Sequence, residues 1–168
     1  AIYHPHTGTT TVNGGVIFGA AGGISLNRGK LIVNDGTITS KGTGTTGNWG
    51  DGTGNQQAAA INVNAAYETT AVEIKGGKIT AEKDAILLTN GRNGTVAVSG
   101  GSFSSEIKRE YCADGFVPAV NADGTYGVKA VPVAKIGTVE YATFAEAIAA
   151  AKDGDTVTLT ADINTPET

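Results

Sequence analysis

The hydrophobic and polar residues of the chain alternate in a short motif that occurs four times. Residues 74–79 (IKGGKI) and 98–103 (VSGGSF) both have the order apolar, polar, Gly, Gly, polar, apolar. Residues 12–17 (VNGGVI) and 33–38 (VNDGTI) repeat this pattern upstream. Two positions before each copy lies an aliphatic residue or a threonine, namely Thr10, Leu31, Val72 and Val96. This alternation is typical of β-strands that bury one face.

The spacing of the motif copies predicts a repeating structural unit. The second glycines of the motifs are 21, 41 and 24 residues apart, at Gly15, Gly36, Gly77 and Gly101. Seven residues after a motif, a second strand begins with a small residue and isoleucine, at residues 23–24 and 85–86. In the middle copy this pair is delayed to residues 60–61, so residues 41–56 are interpreted as an inserted loop. Without the loop, each unit has 21 to 25 residues.

Strands that bury one face and recur at this interval predict a chain that winds into a solenoid. We therefore predict an all-β fold, in which residues 1–106 form a right-handed, single-stranded parallel β-helix of about four coils. In this fold the side chains of one motif position form a single internal row, Val12, Val33, Ile74 and Val98.

The rest of the chain predicts two further segments. Between residues 107 and 131, two apolar stretches flank Asp123-Gly124, a pair typical of tight turns, so a closing β-hairpin is expected. Within residues 132–168, the sequence from Thr143 to Glu146 is a capping box ahead of a short amphipathic helix, and a strand follows. This order predicts the beginning of a following module of the same chain. The absence of an initiator methionine and of a signal peptide predicts a segment of a longer protein.

The composition and charge of the chain limit the classes of function that it can have. The chain has 168 residues, 25 of them glycine, and a hydrophobic content of 40% argues against disorder. Its net charge of -4 comes without a basic cluster, so nucleic acid is not an expected partner. No apolar run approaches the ~20 residues that span a bilayer, so no membrane insertion is expected. Cys112 is the only cysteine, which excludes an internal disulfide.

Candidate binding residues lie in the inserted loop and at outward positions of the strands. Trp49 is the only tryptophan, and its loop is too polar to have a core of its own. Exposed loops are where binding residues collect, and Asp51 and Asn55 belong to the same loop. Phe18 and Ile32 neighbour inward residues and are expected to face outward, on a wall suited to a protein partner. The alternative for Trp49 and Phe18 is that they are covered by a neighbouring part of the fold.

Metal, cofactor and catalytic sites are not predicted. His4 and His6 share one face of an extended strand, but zinc needs three or four ligands. Asp51 and Asn55 offer only two oxygen ligands for calcium. Residues 42–47 (GTGTTG) have the letters of a dinucleotide-binding loop without a helix after it. The acids of the central units are interpreted as solvated charges, and they are Glu68, Glu73, Glu82 and Asp84.

Several short segments occur in a characteristic order after the repeats. They are residues 100–104 (GGSFS), 115–117 (GFV), 123–126 (DGTY), 141–148 (YATFAEAI) and 153–159 (DGDTVTL). With the repeats, they resemble the modules of large cell-wall-anchored surface proteins of gut Gram-positive bacteria, which carry right-handed parallel β-helices. The resemblance implies an extracellular location at the bacterial cell wall and an adhesin-type function, and some such proteins bind host immunoglobulins. Its motifs are structural, so it assigns no residue to a ligand.

The expected function is non-enzymatic binding of a host secreted or mucosal glycoprotein, with immunoglobulin as the most specific candidate. Two alternatives stay open. A structural spacer in a surface stalk would have the same repeats without a ligand. A calcium-dependent polysaccharide lyase or a hydrolase would use the pectate-lyase-like superfold, but it needs carboxylates gathered around an ion or two acids at a defined separation.

Overall fold

A computed structural model of the protein describes residues 1–42, 58–64, 70–88 and 94–161. The described residues are mainly β, with one α-helix, α1 (Phe144–Ala150), and a 3₁₀ helix at Arg109–Tyr111. The strands are β1 (Ile2–His4), β2 (Thr9–Gly19), β3 (Ile24–Leu26), β4 (Lys30–Ser40), β5 (Ile61–Val63), β6 (Ala71–Ile74), β7 (Lys78–Thr80), β8 (Ile86–Leu88), β9 (Thr95–Val98), β10 (Ser102–Phe103), β11 (Phe116–Val120), β12 (Tyr126–Ala130), β13 (Ala134–Ile136), β14 (Val139–Tyr141) and β15 (Val157–Leu159). The chain divides into two compact units, Ala1–Lys129 and Ala130–Thr168.

The first unit contains two sheets. One has four parallel strands in the order β1-β3-β5-β8. The other has eight strands and branches at β4, which pairs with β2 on one side and with both β6 and β7 on the other. β9 pairs with β6, and β10 pairs with β7, on the sides away from β4. We therefore distinguish a first arm (residues 9–12, 30–33, 71–74 and 95–98) from a second arm (residues 16–19, 37–40, 78–80 and 102–103).

One hydrophobic core is shared by the four-stranded sheet and both arms. Each strand buries alternate residues because successive side chains point to opposite faces. The predicted internal row is confirmed, since its members are register partners in successive parallel pairs, Val12, Val33, Ile74 and Val98. The second arm contributes a parallel row of its own, Ile17, Ile38, Ile79 and Phe103.

The two arms meet at the glycine motif. The second glycine of every copy has a positive φ, from +80° to +108°, at Gly15, Gly36, Gly77 and Gly101. A Cβ atom on Gly77 would lie 2.8 Å from the carbonyl oxygen of Gly36 in the neighbouring strand. Both the φ angle and the close approach therefore require glycine. The predicted alignment of the four motif copies is confirmed by this shared conformation.

The predicted right-handed, single-stranded parallel β-helix is wrong. The strands of the chain form a parallel sheet, a mixed sheet and an antiparallel sheet, and one sheet is nearly closed. The eight-stranded sheet combines its parallel pairs with an antiparallel one, in which Phe103 of β10 opposes Tyr126 of β12. The hairpin predicted as a separate closing element lies at β11 and β12, and its backbone extends the sheet. A repeat of apolar and polar positions predicts strands and their inward faces, but it does not determine which sheet each strand joins.

The two ends of the first unit differ. At the end formed by β8, β9 and β10, Ile107 and Tyr111 are buried against the core. The Tyr111 hydroxyl accepts a hydrogen bond of 3.3 Å from the backbone N–H of Leu88. At the opposite end, β1 and β2 each have only one partner strand among the described residues.

The second unit is a three-stranded antiparallel sheet in the order β14-β13-β15, together with α1. The predicted capping box is present: the Thr143 hydroxyl accepts a bond from the Glu146 N–H, and the Glu146 carboxylate accepts one from the Thr143 N–H. On the predicted apolar face of α1, Ala147 is buried while Phe144 and Ile148 are exposed. That this unit begins a following module stays a prediction.

Candidate functional site

The outward side chains of the second arm form a surface of exposed and half-buried residues on the first unit. They alternate with the buried row of this arm because a β-strand directs successive residues to opposite faces. Six of them form the surface that we call the outer face: Val16, Phe18, Thr37, Thr39, Lys78 and Thr80. Strand register places them in two adjacent rows of three, one beginning at Val16 and one beginning at Phe18.

The apolar part of the outer face lies on β2. The side chain of Val16 is 76% exposed and that of Phe18 is 54% exposed. The backbone of Phe18 is fixed by its pairing with Thr39 of β4. Exposed apolar side chains that adjoin one another on a fixed backbone are typical of contact surfaces.

The polar part of the outer face continues toward the turn between β11 and β12. Ser102 pairs with Lys78, and the Ser102 hydroxyl donates a bond of 2.9 Å to the Thr125 hydroxyl. The Thr125 hydroxyl and N–H both donate to Asp123, which lowers the pKa of that carboxyl below its ordinary value, and the Lys78 charge adds to this effect. The surface therefore changes from apolar side chains at β2 to hydroxyl groups and charged side chains near the hairpin.

Ile32 lies on the first arm and is not part of the outer face. It is partly buried, and its row places it between Thr11 and Glu73. The Glu73 carboxylate forms ion pairs with Lys30 and Lys75. The predicted wall containing both Phe18 and Ile32 is thus divided by the glycine bend between the arms.

The ion pairs of the first arm set the charge state of Glu73. The Lys30 ammonium donates a hydrogen bond to the carboxylate, and this contact is the largest cause that lowers the pKa of Glu73 below its ordinary value. The charges of Lys30 and Lys75 act in the same direction, while desolvation opposes them. Glu73 is therefore held in its charged form, in contact with cations.

Trp49, Asp51 and Asn55 belong to residues 43–57, which lie outside the described residues, so their role in binding stays a prediction. Of the predicted binding residues that are described, only Phe18 belongs to the outer face. Val16 was missed, although the sequence carries a signal for it. It is the apolar residue at the fifth motif position, where the other copies have polar residues.

Few of the described titratable side chains lie together in groups that could bind a metal ion or catalyse a reaction. In the part of the chain that the structure describes, no three His, Cys, Asp or Glu side chains are grouped so that they could hold a metal ion. His4 is buried, with its Nδ1 atom 2.9 Å from the Thr10 hydroxyl oxygen, and its ring lies 4.1 Å from the ring of His6. Glu82 forms an ion pair of 3.6 Å with Lys41.

Two clefts of about 310 and 500 Å³ adjoin the 3₁₀ helix and share Glu110 as a lining residue. The cationic side chains that line the larger cleft already have contacts. Lys108 lies 5.2 Å from the centre of the Tyr111 ring, and Arg109 donates a hydrogen bond of 2.8 Å to the carbonyl oxygen of Phe116. Because these cations already contact groups of the protein itself, the outer face is preferred as the candidate site.

Comparisons with known proteins identify no relative. No protein-family model matches the chain. No curated protein and no solved structure is detectably similar to it. Among the described residues, no helix is both long enough and apolar enough to cross a bilayer. These comparisons therefore assign the chain to no family.

Proposed function

We propose that this chain is a non-enzymatic binding module of a bacterial cell-surface protein, and that it binds a host secreted or mucosal glycoprotein through the outer face. Within that class, immunoglobulin is the ligand that we place first. The observation that carries the proposal is the exposure of Val16 and Phe18 on a strand whose backbone is fixed by pairing with β4. The location at the cell wall belongs to the same proposal and rests on the resemblance of the sequence motifs.

The outer face has the composition of a protein-binding surface. Protein interfaces combine an apolar or aromatic centre with polar groups at the rim, and a few buried side chains supply most of the binding energy. Phe18 and Val16 would supply the centre, while the threonine hydroxyl groups and Lys78 would supply the rim. Because the sheet fixes the backbone, little conformational entropy is lost on binding.

The arrangement of acids favours binding over catalysis. Polysaccharide lyases and hydrolases need carboxylates gathered around an ion or two acids at a defined separation. Glu73 contacts two lysines, and Glu82 contacts Lys41. Carboxylates paired with surface cations are typical of solvated ion pairs.

The proposal is tested by capture from mucosal secretions and serum on the immobilised protein. The double variant Val16→Thr/Phe18→Thr gives β2 the threonines that β4 already has in the same rows, Thr37 and Thr39, so we expect the strand to fold. We expect the wild type to retain a glycoprotein and the double variant to retain at least about tenfold less, which corresponds to about 1.4 kcal/mol.

The matched control is Val139→Thr, which changes an exposed valine in the second unit and should leave retention unchanged. Equal retention by the wild type and the double variant would contradict the proposal that the outer face is the binding site. If the wild type retains nothing at micromolar concentration, the chain is a spacer. Release of unsaturated products or reducing ends from polygalacturonate with calcium would instead establish an enzyme.

A further inference from the structure

The smaller of the two clefts beside the 3₁₀ helix has apolar walls. Its volume of about 310 Å³ lies at the lower end of the range of sites for small molecules. The walls include Leu88 at the end of β8, Val96 of β9 and Tyr111 of the 3₁₀ helix. Val96 and Tyr111 belong to the hydrophobic core of the first unit, and Leu88 packs against it. The cleft is therefore suited to the apolar body of a small ligand.

Hydrogen bonds hold the walls of this cleft in place. The Tyr111 hydroxyl accepts a bond of 3.3 Å from the Leu88 N–H, and the Tyr111 N–H donates one of 2.9 Å to the carbonyl oxygen of Lys108. Val96 is fixed by the parallel pairing of β9 with β6, in which its register partner is Val72. Because both walls are formed before a ligand arrives, little conformational entropy is lost on binding.

Glu110 is the charged side chain among the described residues that line the smaller cleft. It lines both clefts, whereas Lys108 lines only the larger one. The Lys108 ammonium lies 3.9 Å from the Glu110 carboxylate, and the two side chains are 56% and 70% exposed. A long ion pair between exposed side chains is weak, because water solvates both charges. The carboxylate is therefore available to a cation that enters the smaller cleft.

We propose that the smaller cleft binds a small organic amine, whose ammonium group pairs with Glu110 and whose apolar body lies against the walls. Lys108 is an example of the same chemistry within the chain, since its ammonium lies near both the Glu110 carboxylate and the Tyr111 ring. The class of ligand that fits is an arylalkylammonium ion, because an aromatic ring beside Tyr111 gains more than the burial of its area. This site shares no residue with the outer face and does not depend on the function proposed for that face.

The probe is the phenethylammonium ion, titrated into the full chain and followed by the amide NMR signals of the protein. The neutral 2-phenylethanol and the anionic phenylacetate are the matched ligands. We expect the amine to bind with a dissociation constant on the order of 1 mM, and the alcohol to bind at least about fivefold more weakly. Phenylacetate should bind more weakly still, because Glu110 repels it. The signals that shift should include those of Thr95, Val96 and Tyr111.

The substitution Glu110→Gln removes the charge and keeps the size of the side chain. We expect it to weaken binding of the amine at least about fivefold and to change binding of the alcohol less than about twofold. Glu106→Gln is the matched control, because Glu106 is an exposed acid that lines only the larger cleft. It should change binding of the amine less than about twofold. Equal losses in the two variants would overturn the proposal, because binding would then follow the net charge of the chain.

The same titration distinguishes other occupants of the cleft. Nα-acetyl-lysine methylamide represents a lysine side chain of a protein partner, and tighter binding of this probe than of phenethylammonium would overturn the assignment to a small organic amine. Absence of amine binding to the wild type, or equal dissociation constants for the amine and the alcohol, would also overturn the proposal. Arg92 precedes Gly94 by two residues and lies outside the described residues. Amine binding that occurs only in Arg92→Gln would identify that arginine as the cation of the cleft.

Discussion

Gly77 shows how one residue determines where the eight-stranded sheet bends. Its φ of +88° is strained for any residue with a side chain, and the Gly36 carbonyl oxygen leaves no space for one. Such positions can be predicted from the sequence because the backbone restricts them to one residue type. The outward placement of Val16 and Phe18 can also be predicted, since they are apolar at positions where other motif copies have polar residues. The exposure of Ile32 could not be predicted, because it depends on which arm of the sheet the residue joins.

The substitution Gly77→Ala tests the bend. We expect it to lower the free energy of unfolding by about 2 kcal/mol or more, since a positive φ costs a side-chain-bearing residue about 1–2 kcal/mol and the contact with Gly36 adds to this. The measurement is urea denaturation. Gly22→Ala is the control, because its φ is not positive and its Cβ would lie 3.5 Å from the nearest atom outside its chain neighbours, the Ala59 carbonyl oxygen. Equal losses in the two variants would contradict the account of the bend.

At the scale of elements, strand register follows from alignment of the motif copies. Leu31 pairs with Val72, and Val72 pairs with Val96, as expected for residues that occupy the same motif position. The hairpin could not be placed in the same way. Its strands carry no copy of the motif, so nothing in the residue pattern indicates that Tyr126 pairs with Phe103. Strand register within the repeats can be predicted from the motif alone, whereas the pairing of β12 with β10 depends on the whole sheet.

The ion pairs of the first arm predict a pH dependence of stability. The pKa of Glu73 is lowered in the folded protein, chiefly by the hydrogen bond from Lys30. The stabilisation is therefore fully present above the ordinary pKa of glutamate, and it is lost as the pH falls through the lowered pKa. We expect Glu73→Gln to be less stable than the wild type at neutral pH, with a difference that vanishes in acid.

Urea unfolding at several pH values between about 7 and 3 measures this difference. In a Lys30→Gln background, Glu73→Gln should show a smaller pH-dependent difference, because the main contact is already removed. A difference between wild type and Glu73→Gln that grows toward low pH would have the wrong sign for this contact.

At the scale of the whole molecule, the core of the first unit joins both arms to the four-stranded sheet. Burial of one face per strand was predictable from the repeat, and the internal row through Ile74 follows from it. The sheet architecture was not predictable, because mixed pairing arises where the repeat ends and the antiparallel strand β12 is added. The outer face is a consequence of that sheet, since its rows exist only where β2, β4 and β7 align.

The substitution Ile74→Ala tests the shared core. Ile74 is 0% exposed, so its truncation should lower the free energy of unfolding of the first unit by about 2–5 kcal/mol. Ile148→Ala, on the exposed side of α1, should cost less than about 1 kcal/mol. Chemical denaturation followed by circular dichroism measures both. A loss at Ile74 no larger than that at Ile148 would contradict a core built on the internal row.

The most direct test of the proposed function is the dissociation constant of the captured glycoprotein, measured by biolayer interferometry for the wild type and for Val16→Thr/Phe18→Thr. We predict that the double variant binds at least about tenfold more weakly, because both apolar side chains lie at the centre of the contact. The same dissociation constant for both proteins would contradict the claim that the outer face is the binding site.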